Sequence, residues 1–396
     1  MGTVRRPRSN NKNVYILGAG FGVDAGFPTV ADFLNVMRDS ADWLAQENRS
    51  SERDSVDAVL QFRHEAAAAG YRVNIDLDNI EDLFSLAAAL PLTPASKNVQ
   101  AAIGATLSYA KNRRSATEIR LRVSEERGWL TQAWRETATR IDTADSDSKD
   151  IYCSIYDYYA SVLSGYTSGT NNPNENVVIT FNYDLLLEDA LTRLGLPFSY
   201  GLGDGVAYHE PARFTPDVGS DEMLLLKMHG SLNWAFRENG DFGVYGSYDA
   251  ALKAGGSPHL VPPTWEKTAI GPMRRVWERA VSALTDATRV IIIGFSFRST
   301  DAHFKYLLAA GLMNNSSLRR ILIVNPRAEA LEPQVRSVLR GDQFEYGVIE
   351  LRNKVLRHFF YSADDLKSIG RPMTHEGIDL VDIGGTSYLE KRFFVQ

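Results

Sequence analysis

The side chains best suited to chemistry stand directly after apolar runs. Asn182 and Asp184 follow VVITF, His229 follows LLLKM, Ser296 follows IIIGF and Asn325 follows ILIV. An asparagine amide carries both a donor and an acceptor with which to hold a water or a hydroxyl. A histidine exchanges its proton near neutral pH, the requirement for a general base. Ahead of them, residues 16–29 read ILGAGFGVDAGFPT. Gly18, Gly20 and Gly26 would let this backbone approach a pyrophosphate and present N–H groups at a helix start, where the dipole favours anionic charge. Each residue also has an ordinary structural reading. A strand-end histidine serves packing, a turn asparagine serves as a cap, and Asp184 is placed to cap the helix LLLEDAL. Ser231 lies too close to His229 for a hydrolase triad, and no G-x-S-x-G motif is present.

The elements that must position these residues are legible as apolar runs. Val14–Leu17, then 176–184, 222–230, 289–297 and 320–326, are dense in Val, Ile and Leu and end in polar or glycine turns. Helical patterns follow at 185–194, 301–312 and 328–339. Continuous apolar strands alternating with helices predict an α/β fold: a Rossmann-like, mostly parallel sheet with helices on both faces. Ligands of such sheets sit outside the carboxyl ends of the strands, so the polar residues above would share a rim with Gly18–Gly20.

Between the first strand and the second lies a large helical insertion, 31–170. Thr29 is placed to cap its first helix, on which Phe33, Leu34, Met37, Ala41 and Leu44 recur at helical spacing. Amphipathic patterns continue at 78–90 and 116–141, a polar loop is expected at 142–150, and the aromatic run IYCSIYDYYASVL (151–163) reads as a buried helix. TSGTNNPNEN (167–176) reads as a linker. A dehydrogenase would place a second strand and an acidic ribose ligand within about 30 residues of the glycine turn. Helix follows helix here, which argues against hydride transfer. The organisation is therefore a disordered basic tail at 1–12, a core formed by 13–30 and 171–340, the insertion, and an extension at 341–396. In that extension FEYGVIEL reads as a late strand and NKVLRHFFYSADDL as a helix. The apolar ending of TSYLEKRFFVQ is expected to dock on a neighbouring surface, another subunit being one candidate.

Bulk properties narrow the function classes. The 396 residues are 44% apolar and 23% charged, as in ordinary globular proteins. The formal net charge of −6 does not favour nucleic acid or an anionic membrane. The basic cluster of Arg5, Arg6, Arg8 and Lys12 reads as a solubilising arm. Cys153 is the single cysteine, which excludes an intramolecular disulfide and a multi-cysteine zinc site. No apolar run approaches the roughly 20 residues that span a bilayer, and the N-terminus is not signal-like. A cytoplasmic location is expected.

The motifs resemble those of sirtuins. GAGFGVDAGFPT is similar to the sirtuin glycine loop, TFNYD (180–184) to its TQNID stretch, and KMHGSLNW (227–234) to the segment carrying its histidine. GFSFRSTD (294–301) resembles the GxS loop, and IVNP (323–326) the segment with its ribose-contacting asparagine. The form is closest to the sirtuin-like domains of prokaryotic antiphage defence, in which FNYD, HGSLNW, PPT (here Pro262–Thr264) and a GYSxxxxD-like motif recur in this order. The chain departs from sirtuin deacylases where Thr29-Val30-Ala31 replace Asp-Phe-Arg, where Gly22 replaces the loop serine, and in lacking the cysteines of their zinc module.

The resemblance implies NAD as substrate and no structural zinc. It implies contacts to the dinucleotide from Gly18, Ala19, Gly20, Ala25, Gly26 and Pro28, and from Asp184, Gly294, Ser296 and Asn325. It gives Asn182 and His229 the catalytic roles. With no obvious acyl-lysine groove, water is the simplest acceptor, and the expected activity is NAD hydrolysis to nicotinamide and ADP-ribose. The biological setting it implies is an NAD-depleting effector of abortive infection, acting as a homo-oligomer or with a HerA-like ATPase rather than an Argonaute. An NAD-dependent protein deacylase or ADP-ribosyltransferase, and a non-catalytic NAD or ADP-ribose sensor, are the competing readings.

Overall fold

The computed structural model describes residues 12–113, 118–124, 140–145, 148–164, 176–203, 206–209, 222–237, 239–262, 272–297 and 302–325. It also describes helical positions scattered between 331 and 338, and backbone strands at 345–350, 378–379 and 389–393. The apolar runs form the middle of one sheet. Its strands are β1 (Asn13–Leu17), β5 (Asn176–Thr180), β6 (Phe198–Ser199), β8 (Met223–Lys227), β12 (Arg289–Ile293), β13 (Arg320–Asn325), β14 (Glu345–Glu350) and β16 (Leu389–Phe393). The spatial order is β16-β14-β13-β12-β1-β5-β8-β6. All pairings are parallel except that of β16 with β14. Every residue of β12 is buried, as a strand covered on both faces requires. Setting aside the two short or antiparallel strands at the edges, the order is that of a doubly wound dinucleotide-binding sheet. Its switch point falls between β1 and β12.

The first half of the insertion is helical. Helices α1 (Phe33–Gln46), α2 (Ser50–Glu65), α3 (Ala67–Gly70), α4 (Ile80–Ala88) and α5 (Pro94–Arg113) form it, with α1, α2 and α5 packed on one another. On α1, Phe33, Leu34, Met37 and Leu44 are buried as their spacing requires. Asn79 caps α4 by accepting from the Glu81 N–H. Thr29 does not cap α1; its hydroxyl donates to Asp32, and Asp32 occupies the cap position without a side-chain bond to the helix.

The helix expected across 116–141 is corrected to strand at 118–124 and 140–141, with 125–139 outside the described residues. The loop expected at 142–150 is corrected to strand at 142–145 and 148–150. Strands β2 (Glu118–Ser124), β3 (Arg140–Asp145), β4 (Ser148–Ser154) and β15 (Ile378–Asp379) make an antiparallel sheet in the order β15-β2-β4-β3. Ile119, Leu121 and Val123 alternate with arginines, a period of two that a longer helical window obscures. The aromatic run accordingly begins as strand and becomes helix α6 (Ile155–Leu163), capped by Ser154.

A further antiparallel and parallel set, β11 (Ser257–Leu260), β9 (Gly230–Phe236), β10 (Phe242–Val244) and β7 (Ala207–Tyr208), grows out of the main sheet where β8 passes into β9. Helix α7 (Leu186–Arg193) follows β5 and packs on α6. Helix α8 (Tyr248–Lys253) lies against β9 and β11. Helix α9 (Pro272–Thr285) lies against β8 and α10 (Ala302–Leu312). The expected helix in NKVLRHFFYSADDL, the linker at 167–175 and the tail at 1–11 lie outside the described residues. Lys12 itself is held, its carbonyl accepting from the N–H groups of Thr288 and Arg289. Among the described residues no helix is long and apolar enough to cross a membrane.

Candidate functional site

The rim at the carboxyl ends of β1, β5, β8, β12 and β13 gathers most of the residues singled out by sequence. The glycine turn leaves β1 as a short 3-10 helix, Ala19–Ala25, rather than as the start of an α-helix. It ends at Gly26, whose φ of 79° closes it. The turn lies directly against the end of β12. Gly18 N–H donates to the Ile293 carbonyl and Gly20 N–H to the Gly294 carbonyl. A Cβ at Gly18 or Gly20 would fall 2.7 Å from backbone atoms of Gly294, which itself has φ 65°. These glycines therefore allow two backbones to interlock at the switch point, and the N–H groups of Gly18 and Gly20 are occupied within the protein. Ala25 and Pro28 are buried in the core, and Ala19 is half-buried.

Helix α6 supports the turn from beneath. The Tyr156 hydroxyl donates to the Phe21 carbonyl at 2.7 Å, and the Tyr159 hydroxyl to Asp24 at 2.8 Å. The two rings pack edge-on at 5.4 Å. Burial, with Asp24 and Asp184 nearby, pushes the Tyr156 hydroxyl well above its usual range, so it stays a donor.

Asn182 stands one residue beyond Phe181, at the end of β5. Its Nδ2 donates to the Gly18 carbonyl at 3.0 Å, and its N–H donates to Thr180 Oγ1. With Nδ2 turned to the glycine turn, the amide oxygen faces the other way. Asn325 does the same service for the next loop, donating from Nδ2 to the Phe295 carbonyl at 3.0 Å. Ser296 is exposed. Phe297 sits at φ 50°, in the left-handed region that costs a bulky side chain energy. The remaining residues of that motif, 298–301, lie outside the described residues.

His229 is buried, its ring edge-on to Phe181 at 5.1 Å and beside Tyr183 at 6.0 Å, the two neighbours of Asn182. Phe181 in turn packs on Phe295 and Phe304, so one aromatic cluster underlies β5, β8 and β12. Backbone bonds lock the His229 loop to the same segment. Met228 N–H donates to the Thr180 carbonyl, Leu232 N–H to the Tyr183 carbonyl and Val261 N–H to the His229 carbonyl. The Tyr183 hydroxyl reaches the Val261 carbonyl at 2.6 Å, so the chain entering the PPT motif closes over both. Pro263 and Thr264 of that motif are outside the described residues.

Leu185 holds the cap position of α7 without a side-chain bond, and Asp184, one residue before it, supplies the acceptor. Its Oδ1 accepts from the Leu186 N–H at 3.1 Å, turning the chain into α7. Burial raises its carboxyl above the usual range, and Lys227 pulls it partly back. Sequence reading passed over the neighbours that matter to this region: Glu188, Lys227, Tyr183 and the paired tyrosines of α6. A lysine inside the apolar strand MLLLK was itself the signal, because a buried ammonium demands partners. Among the described residues no group of histidine, cysteine or carboxylate side chains could hold a metal ion.

The arrangement supplies a fixed amide acceptor and a packed imidazole on adjoining strand ends, beside a glycine turn at the switch point. Of three comparisons with known proteins, one bears on this region. No curated protein matches the chain. A solved structure from work on the structural basis for the mechanism and regulation of Sir2 enzymes is similar at 11% identity, covering 82% of this chain and 84% of that one, with a TM-score of 0.32. Residues 176–346, from the first residue of β5 to the second of β14, match the SIR2-like domain family, so the stretch carrying Asn182, His229, Gly294 and Asn325 is sirtuin-like.

Proposed function

We propose that the protein hydrolyses NAD at the nicotinamide–ribose bond. The observation that carries this reading is the anchoring of the Asn182 amide to the glycine turn, with His229 packed against the residues on either side of Asn182, inside the SIR2-like match. The bond between the anomeric carbon and the pyridinium nitrogen breaks. Its electron pair goes to the nitrogen, and nicotinamide leaves neutral, so the departure needs no strong acid. The ribose carbon acquires oxocarbenium character, as in glycoside cleavage. A water oxygen forms the new bond, and its proton passes to His229 and then to solvent. The products are ADP-ribose, nicotinamide and one proton. Asn182 Oδ1 is the acceptor that orients the attacking water or a ribose hydroxyl.

In the biological setting we propose, this activity drains NAD during infection, with self-assembly or a HerA-like ATPase as the control. The resemblance of FNYD, HGSLNW and the GxS loop to antiphage domains supports that setting. The test is nicotinamide release from NAD by the purified protein, alone and with the ATPase, across protein concentration. Asn182→Ala and His229→Ala should each lower turnover by about 10²–10⁴-fold. Release only when an acyl-lysine peptide is supplied would instead make the protein a deacylase. No release under any of these conditions would defeat the hydrolase reading.

A further inference from the structure

Beneath the rim lies a buried ion pair that the reaction above does not use. Lys227, at the end of β8, and Glu188, on α7, have side chains 1% and 4% exposed, with Nζ 2.7 Å from Oε1. The ammonium also donates to the carbonyls of Asp184 and Tyr183, the latter at 3.3 Å. A lysine has three donors, and these contacts account for all three. The two carbonyls belong to residues that have left β5 and not yet entered α7. That of Tyr183 also accepts from the Leu232 N–H, so the ammonium adds to a backbone contact there and extends it to Asp184. Glu188 continues the network. Its Oε1 accepts from the Tyr200 hydroxyl at 3.3 Å, Asn233 donates to that hydroxyl at 3.4 Å, and Ser231 donates to Asn233 at 2.7 Å.

We propose that Lys227 and Glu188 are positioning residues, which fix Asn182 and His229 relative to each other by clamping the 183–184 backbone to the strand that delivers His229. The clamp is placed for this. Tyr183 follows Asn182 directly, and Lys227 precedes His229 by two positions on the other strand. A buried ion pair is a poor device for stability alone, because well-packed apolar residues of similar volume serve as well or better. What apolar residues cannot do is donate to two carbonyls in a site from which water is excluded. The inference rests on the hydrolase reading for its kinetic consequence, and on backbone geometry for the clamp itself.

The test compares wild type with Lys227→Met, with Lys227→Met/Glu188→Leu, and with Glu188→Gln. It measures thermal unfolding, NAD turnover and amide hydrogen exchange in peptides covering 181–186 and 228–232. In the double variant the melting temperature should recover most of what the lysine variant loses. Its kcat should stay at least about tenfold low with KM within about threefold, because misplacement costs rate rather than uniform binding. Exchange should rise in those peptides and not in β12 or α10. Recovery of kcat together with stability would overturn the proposal, as would wild-type exchange in both peptides. Should the lysine variants not fold, Glu188→Gln carries the test. It keeps the volume but replaces a charged acceptor with a weaker neutral one, so the ammonium is held less tightly. Unchanged kcat and exchange there would overturn the positioning role of Glu188. If wild type cleaves no NAD while local exchange still rises in the variants, the hydrolase reading fails and the clamp stands.

Discussion

Asn182 is useful because, among the described residues, only half of its amide is occupied. The Gly18 carbonyl takes Nδ2, which orients the side chain and leaves Oδ1 as an acceptor. Asn182→Asp tests this more sharply than truncation. A carboxylate oxygen would face the Gly18 carbonyl, so the variant should lose about 1 kcal/mol for the missing bond, and more for the repulsion. Turnover should fall by about 10²-fold or more, and unaltered stability by chemical denaturation would show that the amide is not held as described. His259 offers a second residue-scale test. Its ring meets those of Phe236 and Phe242 edge-on, its Nε2 is buried with no hydrogen-bond partner among the described residues, and burial lowers its pKa to about 4. The unfolded chain takes up this proton near pH 6.5, whereas the native protein resists until about pH 4. Its neutrality therefore favours the fold at pH 7, and that contribution is lost as pH falls from 6.5 to 4, by about 3 kcal/mol at most. Thermal unfolding of wild type and His259→Leu at pH 7.5 and pH 5 should show the variant losing less on acidification.

At the scale of elements, the glycine turn and the end of β12 behave as one unit. Gly294 combines φ 65° with a Cβ direction 2.6 Å from the Phe21 nitrogen, so Gly294→Ala must both strain its backbone and push the turn away. A loss of about 2 kcal/mol or more is expected in denaturant unfolding. Tyr156→Phe, which removes the hydrogen bond to the Phe21 carbonyl but keeps the ring packing, should cost only about 1 kcal/mol. Equal effects would show that the turn is held from below rather than by the interlock. The sequence displayed these glycines plainly, but not what they do. A strand-to-turn glycine reads the same whether its backbone meets a phosphate or another loop, because the partner at Gly294 is far away in the chain. Apolar runs such as RVIII announced themselves, since their burial is intrinsic to the run. The polar strands β3 and β4 did not, because RIDTAD and SKDIYCS owe their extended form to pairing rather than to local preference.

For the whole molecule, the decisive feature is how the main sheet ends. FEYGVIEL was legible as a strand, and the apolar close of the chain as a segment that docks. The surface it meets is its own sheet: β16 pairs antiparallel with β14 from Tyr346 to Glu350. The SIR2-like match stops two residues into β14, so this cover lies outside the matched domain. An uncovered sheet edge offers a row of unpaired N–H and C=O groups to any other strand. Covering it in cis seats the tail on its own sheet and puts the charged strand LEKRF at the edge instead, an arrangement expected to hinder association rather than create it. Deleting residues 389–396 should then expose β14 and raise the mass seen by size-exclusion chromatography with light scattering, increasingly so at higher protein concentration. A truncated protein that falls to a smaller species than wild type would mean that the strand holds subunits together. The control we have proposed by self-assembly would then run through the sheet edge.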